Sequence, residues 1–442
     1  MNLKKITNKK FVIAMILLFF VIAVIAVASI IRMDEKKKKG VKIAGYYYIN
    51  TQGDILNQYP VYLQGDMGEF NEDGLAFVKN LSTIEGYGDA IIDRNGNVLF
   101  DSKNICVSKK NIFPILIRKS DKIVILDENF CEIGQVKGNY NFKDIELRRG
   151  FSEGIAGLSV PIMGEMYFGY IDTSGEWIIA PKYKSGSAFN KEKNALVQDP
   201  ESELFGIIND RGEWIVEPKF YDFDNFTEDG VARVCNPETK LWGYIDANGN
   251  QLNDDWYYDS SDFHGGYALV QKEKDGKAAY INTKGEYITD FIFDYKLSQK
   301  GFSEGLAYVK EYGGESYGYI NEQGEYALEP HYFFANEFSC GLACVNDPVD
   351  GKDREVYIDK SGKIIIEDNG MVHYTFSPDG YAVVADARTH KYGMIDTKGE
   401  WLFKPQFVTE DRKIFSINSN FTNGCCVVYL EKGQIIKKPK KK

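Results

Sequence analysis

The side chains that most often do chemistry are few and scattered in this chain. Only four histidines occur, His264, His331, His373 and His390, and none lies in the H-E-x-x-H spacing that would set two imidazoles and a general base on one helix face. The seven cysteines, at 106, 131, 235, 340, 344, 425 and 426, are an odd number without the paired C-x-x-C of a zinc site. Cys235, Cys344, Cys425 and Cys426 fall in or beside apolar strands, where cysteine acts as a small filler. Cys340 with Cys344 is the nearest candidate disulfide, and the adjacent Cys425 and Cys426 argue against a disulfide framework. There is no G-x-S-x-G nucleophile turn, no G-x-x-x-x-G-K-[ST] phosphate loop, and no dinucleotide-binding G-x-G-x-x-G between a strand and a helix. Paired carboxylates such as Asp254-Asp255 mean little among 64 acids, because glycosidic chemistry needs a separation in space. The expectation is a protein without catalysis, with no cofactor and no catalytic or metal residue to assign.

Aromatic rings are the better hint. They make up 14% of the chain, and one recurring position holds Trp177, Trp214, Tyr287, Tyr326 and Trp401, with Gln251 and Ile364 as departures. Such rings stack on sugar faces, pack a partner, or fill the space between structural units. Trp256, Tyr257, Tyr258, Tyr332 and Phe333 read as loop aromatics, and loops on a rigid scaffold carry binding functions. The ligand-binding residues themselves stay unassigned.

The elements that must position these rings follow from a repeat. An Asp or Asn is followed three positions later by Gly at 172/175, 209/212, 246/249, 282/285, 321/324, 359/362 and 396/399, so successive glycines lie 37, 37, 36, 39, 38 and 37 residues apart. Looser copies begin at Asn50, Asp93 and Asp127, which makes about ten units of roughly 37 residues. An Asx side chain at the first turn position bonds the local backbone, and Gly takes the positive-φ position that closes a bulged hairpin. The motif therefore predicts a turn between antiparallel strands, with Pro181, Pro218, Pro330 and Pro405 ending the second of them. A second block sets a Phe before a small turn and a Gly-x-Ala strand, at Phe70, Phe151, Phe226, Phe302, Phe338 and Phe376. Those phenylalanines read as core anchors, since a short three-stranded unit cannot bury its apolar face without a neighbour.

Together these blocks resemble the WG-repeat family of bacterial proteins. The namesake pair stands literally at Trp242-Gly243, as Phe168-Gly169, Phe205-Gly206, Tyr317-Gly318 and Tyr392-Gly393 elsewhere, and is lost at Ala278-Ala279 and Glu355-Val356. The resemblance covers residues 45–430, more loosely before about 150. It implies a tandem all-β array, often exported, with no single activity and no catalytic residue to carry over. An open superhelical stack is the favoured arrangement and a closed, propeller-like ring the alternative. The chain starts on a hairpin segment and ends on a Phe-block strand, so its ends would complete one shared unit in a ring.

Residues 1–10 form a basic tail, and Phe11 to Ile31 run for 21 residues without a charge. At ~1.5 Å per residue that is enough to cross a hydrocarbon layer of ~30 Å, so a transmembrane helix or signal anchor is expected. Ala26-Val27-Ala28 resembles a cleavage site that would release the body. A basic linker, 32–44, and a lysine-rich tail, 431–442, flank the repeats. Basic residues on both sides of the apolar run leave the cytoplasmic orientation as an alternative, and exporting a ten-residue tail with four lysines is the less attractive choice. Without residues 1–40 the chain holds 44 basic and 62 acidic residues, a formal charge of −18, or −23 once the last five lysines are set aside. That charge disfavours nucleic acid as a partner. The expected function is a membrane-anchored, extracytoplasmic binding scaffold for protein or cell-envelope glycan, with a self-associating spacer or an envelope hydrolase as alternatives.

Overall fold

The computed structural model describes residues 45–430 and Ile436, apart from 57–69, 72, 84–85, 95–96, 103–104, 107–112, 120, 299–300, 349–353, 368–370, 387 and 408–423. The expected anchor at 11–31, the basic segments on either side of it and Lys437 to Lys442 lie outside the described residues. Among the described residues there is no helix long and apolar enough to cross a membrane.

The unit is an antiparallel meander. Glu146–Ser152, Ile155–Ile162, Glu165–Ile171 and Trp177–Tyr183 pair in chain order, and the same plan recurs over 75–102, 105–135, 194–220, 222–245, 259–294, 306–332, 334–366 and 371–407. Five of these sheets have four strands, which corrects the expected three. The extra strand is the first, as short as Asp259–Ser260 or Phe334–Ala335, too brief to show an alternating pattern. In the 194–220 sheet it is reduced to a bridge between Gly186 and Val197.

Turn chemistry follows the sequence. Asp172 Oδ1 accepts the N–H groups of Ser174 and Glu176 at 2.9 and 3.0 Å, and Gly175 sits at φ 87° while its N–H closes the turn on the Asp172 carbonyl. The prolines behave differently from expectation. The fourth strands Trp177–Tyr183, Trp214–Phe220, Tyr326–Tyr332 and Trp401–Phe407 continue two residues past each Pro. Phe168 pairs with Tyr183 and Tyr170 with Ile179, so Pro181 stands in a bulge opposite Gly169 and no ladder bond is asked of it. A Cβ on Gly169 would lie 2.7 Å from both the Ile179 carbonyl oxygen and the Pro181 nitrogen, which is why the aromatic–Gly pair needs its glycine.

A second irregularity lies just before it. Ile171 pairs with Trp177 but Tyr170 pairs with Ile179, which leaves Ile178 as an extra residue. Side chains two apart on a regular strand share a face, and the extra residue reverses this. Trp177 therefore packs into the preceding core with Ile171, while Ile179 enters the following core with Tyr170. Trp214 and Val216, Tyr326 and Leu328, Ile364 and Ile366, and Trp401 and Phe403 divide between neighbouring cores in the same way.

Each core thus lies between two consecutive sheets, and the series closes on itself. Gly45–Asn50 pairs antiparallel with Cys425–Leu430, from Gly45 opposite Leu430 to Asn50 opposite Cys425. Tyr47, Ile49, Cys426 and Val428 of that sheet join Val383, Tyr392 and Phe403 of the last, and Tyr48 and Cys425 join Phe70, Ala76 and Ile92 of the next. Among the described residues ten sheets and ten cores therefore form a ring. This replaces the favoured open stack, because the first and last strands supply each other's missing partner and leave no terminal sheet unpacked.

The inter-sheet contact at the turn glycines yields a prediction. A Cβ on Gly175 would stand 1.9 Å from the Gln135 carbonyl of the preceding sheet, whereas one on Gly154, at φ 79°, meets nothing within 4 Å. Gly154→Ala should cost about 1 kcal/mol, the intrinsic penalty of a left-handed conformation. Gly175→Ala should cost several times more, roughly 3 kcal/mol or above. Guanidinium unfolding of both variants measures the difference.

Candidate functional site

The recurring rings are seam fillers. Trp177 Nε1 donates to the Lys137 carbonyl at 2.8 Å, and its ring meets Tyr140 edge-on at 5.7 Å. Trp214 meets Tyr183 of the preceding sheet at 5.6 Å, and Tyr326 Oη donates to Glu311 Oε1 at 3.0 Å. Both Trp214 and Trp401 lie across a glycine, with 2.7 Å between ring and ideal Cβ at Gly206 and Gly393. Tyr287 is the most polar member. Its hydroxyl donates to Asp255 Oδ2 at 2.7 Å and lies 3.1 Å from the Tyr257 hydroxyl, and Lys272 Nζ reaches Asp255 Oδ1 at 3.0 Å. The Tyr287 bond and the Lys272 charge hold the Asp255 carboxyl below the usual range, and burial, with Tyr257 and Asp255 beside it, pushes the Tyr287 phenol up. This network ties two sheets together.

Of the loop aromatics, Tyr257 and Tyr332 are core residues, and Trp256 covers Gly243 with its ring 3.1 Å from the ideal Cβ. Tyr258 and Phe333 stand in solvent, 43% and 53% exposed. The histidines are dispersed: His264 Nδ1 lies 3.0 Å from the Phe302 carbonyl, His331 lies against Tyr332 with Nε2 3.6 Å from Asp347, His373 ends the strand Met371–His373, and His390 takes a positive-φ turn position. No cluster of three or more metal-ligating side chains occurs among the described residues. Among the described residues Cys131, Cys235, Cys340, Cys344, Cys425 and Cys426 are in no disulfide, and Cys340 Sγ points to the Ser377 carbonyl at 3.2 Å. Burial pushes the Cys425 thiol up to about 11, and those of Cys344 and Cys426 rise for the same reason. Asp255 is engaged by Tyr287 and Lys272, so the Asp254-Asp255 pair is not a free carboxylate dyad.

Two features escaped the sequence reading. The third-strand tyrosines reach 17 residues forward: Tyr170 donates to the Ser187 carbonyl at 2.8 Å, Tyr319 to Asn336 at 2.7 Å and Tyr357 to Tyr374 at 2.6 Å. Their recurrence in Tyr-Ile-Asp or Tyr-Ile-Asn was the signal. Phe189 and Phe263 are further buried anchors; at the first Lys193-Asn194-Ala195 lacks the expected glycine, whereas Phe263 with Gly266-Tyr267-Ala268 fits the block and was overlooked.

The more consequential feature is the rim. The extra residue of the fourth-strand bulge is Leu99, Ile133, Ile178, Ile215, Ala327, Ile365 or Leu402 in seven sheets. Five of these aliphatics are between 36% and 45% exposed. Alternate residues of the same strands face solvent too, giving Glu213, Ile215, Glu217 and Lys219 in one sheet and Glu325, Ala327, Glu329 and His331 in another. The 194–220 and 306–332 sheets thus display an aliphatic between acids with a basic or imidazole side chain beyond, and what recurs more widely around the ring is the exposed aliphatic itself, at Leu99, Ile133, Ile178, Ile215 and Ile365.

The family comparison agrees with this repeat. The model described as WG containing repeat matches five stretches, residues 168–199, 205–236, 279–314, 317–352 and 392–408. No curated protein matches. Among solved structures, Citrobacter koseri AztD is 12% identical, with 81% of this chain and 94% of that one covered at a TM-score of 0.29. Kluyveromyces lactis Hsv2 is 11% identical, with 48% and 72% covered at 0.27, and a protein of unknown function from Bacteroides caccae is 13% identical, with 45% and 88% covered at 0.23. Likenesses at these scores carry no argument.

Two predictions follow from seam and turn. Trp214→Ala should cost about 3 kcal/mol and Ile215→Ser less than about 0.5 kcal/mol by chemical unfolding, because the first opens an inter-sheet core and the second alters only the rim. The Ser361 hydroxyl and the Ser361 and Lys363 N–H groups hold Asp359 below its ordinary range, and the N–H groups of Thr389 and Arg388 do the same for Asp386. A depressed folded pKa contributes stability that is present above the unfolded value of about 3.9 and is lost as pH falls through the folded value. Melting temperature should therefore drop below about pH 4, and D359N/D386N, which keeps the side-chain acceptors as Asn209 and Asn321 do, should flatten that drop.

Proposed function

We propose that this chain, matched in five stretches by the WG containing repeat model, is a non-catalytic ring scaffold held at a membrane by residues 11–31, with its body on the extracytoplasmic side. The observation that carries this reading is the recurrence of an exposed aliphatic at the same fourth-strand bulge in five sheets. A rigid ring with near-equivalent edges suits a partner that engages several of them at once, where each contact is weak and their combination is strong. A protein partner fits this rim better than a glycan does. The inserted residues Ile178, Ile215 and Ile365 offer no ring on which a sugar could stack, and most of the aromatic candidates are spent in seams and cores. What supports a scaffold without chemistry is that the thiols of Cys344 and Cys426 and the phenols of Tyr170 and Tyr357 are buried, and burial pushes each of them up, away from the reactive anion.

Photo-crosslinking side chains placed at Ile178, Ile215 and Ile365 in living cells test the reading. They should trap one and the same protein, while probes at the turn residues Arg211 and Lys398 should not. Equal trapping from rim and turns, or none from the rim, would contradict it.

A further inference from the structure

The exposed apolar residues away from the rim are not spread evenly, and their placement is matched by where the chain enters the ring. In a four-stranded meander the turns after the first and third strands share one face of the ring, and the connections after the second and fourth share the other. Contacts bear this out. On one face Lys193 pairs with Asp210 at 3.7 Å and Lys360 with Glu304 at 3.3 Å. On the other Lys184 pairs with Glu165 at 2.6 Å, Lys296 with Asp275 at 3.3 Å, and the Lys240 ammonium stands 3.1 Å from the centre of the Tyr221 ring. Among the described residues Met163, Tyr221, Tyr258, Leu297, Tyr312, Phe333 and Phe334 are exposed on this second face, whereas toward the first face the exposed large apolar residues are Ile55, Val98 and Tyr287, each at the start of a fourth strand just past its turn. Tyr287, the remaining exposed ring, belongs to a fourth strand and is tied to Asp255.

Met163 is the sharpest case. It is fully exposed at a hairpin tip and adopts φ 52°, a left-handed conformation costly for a side chain of its size. The other non-glycine residues with positive φ in second-to-third-strand connections are Glu203, Lys240, Asp275 and His390, all polar. The entry of the chain lies on the same face. Gly45–Asn50 is a third strand and runs toward its turn at Asn50 to Gly53, so Gly45, where it begins, lies on the face that carries the rings. Thirteen residues, 32–44, separate that point from the apolar run. Fully extended they span at most about 45 Å.

We propose that this face seats on the bilayer in which the chain is anchored, with Met163 and the exposed rings resting in the interfacial layer. The inference relies on the reading of 11–31 as an anchor. The rings occur on the four sheets between 222 and 366 and Met163 on the 146–183 sheet, while the tether leaves from the closing sheet. Contacts so distributed hold the ring flat. Tyrosine and phenylalanine suit the water–hydrocarbon boundary, and a body of formal charge −23 favours neutral over anionic headgroups. The rim remains open to partners.

Hydroxyl-radical footprinting of the full chain, one copy per phosphatidylcholine nanodisc, against the same chain in detergent tests the seating. Labelling of Met163, Tyr221, Tyr258 and Phe333 should fall about fivefold or more in the nanodisc, with Ile178 and Ile215 unchanged. A chain that resists alkaline carbonate extraction yet shows equal labelling in both settings would overturn the seating and leave the anchor standing. Extraction by carbonate would overturn the anchor itself, and with it the proposal. A chain carrying M163S/Y258S/F333S should stay in the bilayer and lose the protection of Tyr221 and Phe334, and retained protection would overturn the role given to those side chains.

Discussion

One inserted residue in the fourth strand of seven sheets governs how this molecule holds together. A regular strand sends residues two apart to the same side, and a blade that packed only one way could not be both received by one neighbour and offered to the next. The extra residue at Ile178, Ile215, Ala327, Ile365 and Leu402 reverses the facing midway, so an aromatic or aliphatic at the start of the strand fills the core behind and an aliphatic two positions on fills the core ahead. The Asx–Gly turn before it and the Pro bulge after it serve the same end. Gly175, Gly249, Gly285 and Gly324 bring the turn against the backbone or side chains of the preceding sheet so closely that no Cβ would fit.

Closure follows from that directionality. Each unit has one receiving and one offering face, so a linear array would leave one of each bare at its ends. Pairing Gly45–Asn50 with Cys425–Leu430 makes the two ends a single sheet, which packs on Phe403 behind and on Phe70 ahead. The same bulge presents the inserted aliphatic to solvent, and so links the packing rule to the surface the ring displays. A requirement of assembly thereby produces a repeated external motif.

Much of this was legible in the sequence. The 37-residue spacing, the Asx–Gly turns and the Phe anchors fixed the all-β repeat, and the hairpin at one end with the lone strand at the other allowed a ring. The first strand of each sheet was hidden by its length, and the bulges by the ambiguity of short apolar runs such as Trp177-Ile178-Ile179, in which nothing marks the middle residue as inserted. Proline was overread: at Pro181 and its equivalents the strand bends past the missing donor because the facing glycine gives it room. For the site, composition identified aromatics correctly as the notable side chains, but exposure is a property of packing, and only Tyr258 and Phe333 of the ten candidates emerged clearly in solvent while Tyr257 and Tyr332 went into cores.

The closed ring built on these bulges is the claim on which the rest depends, and native-state hydrogen exchange of the full chain tests it most directly. Amides of Tyr47 to Ile49 and Cys426 to Val428 should exchange as slowly as those of Tyr267–Gln271, deep in the array, and should lose protection together with them as denaturant is raised. Exchange at both end strands at loop-like rates, with the middle sheets still protected, would show an array open at its ends and contradict the account.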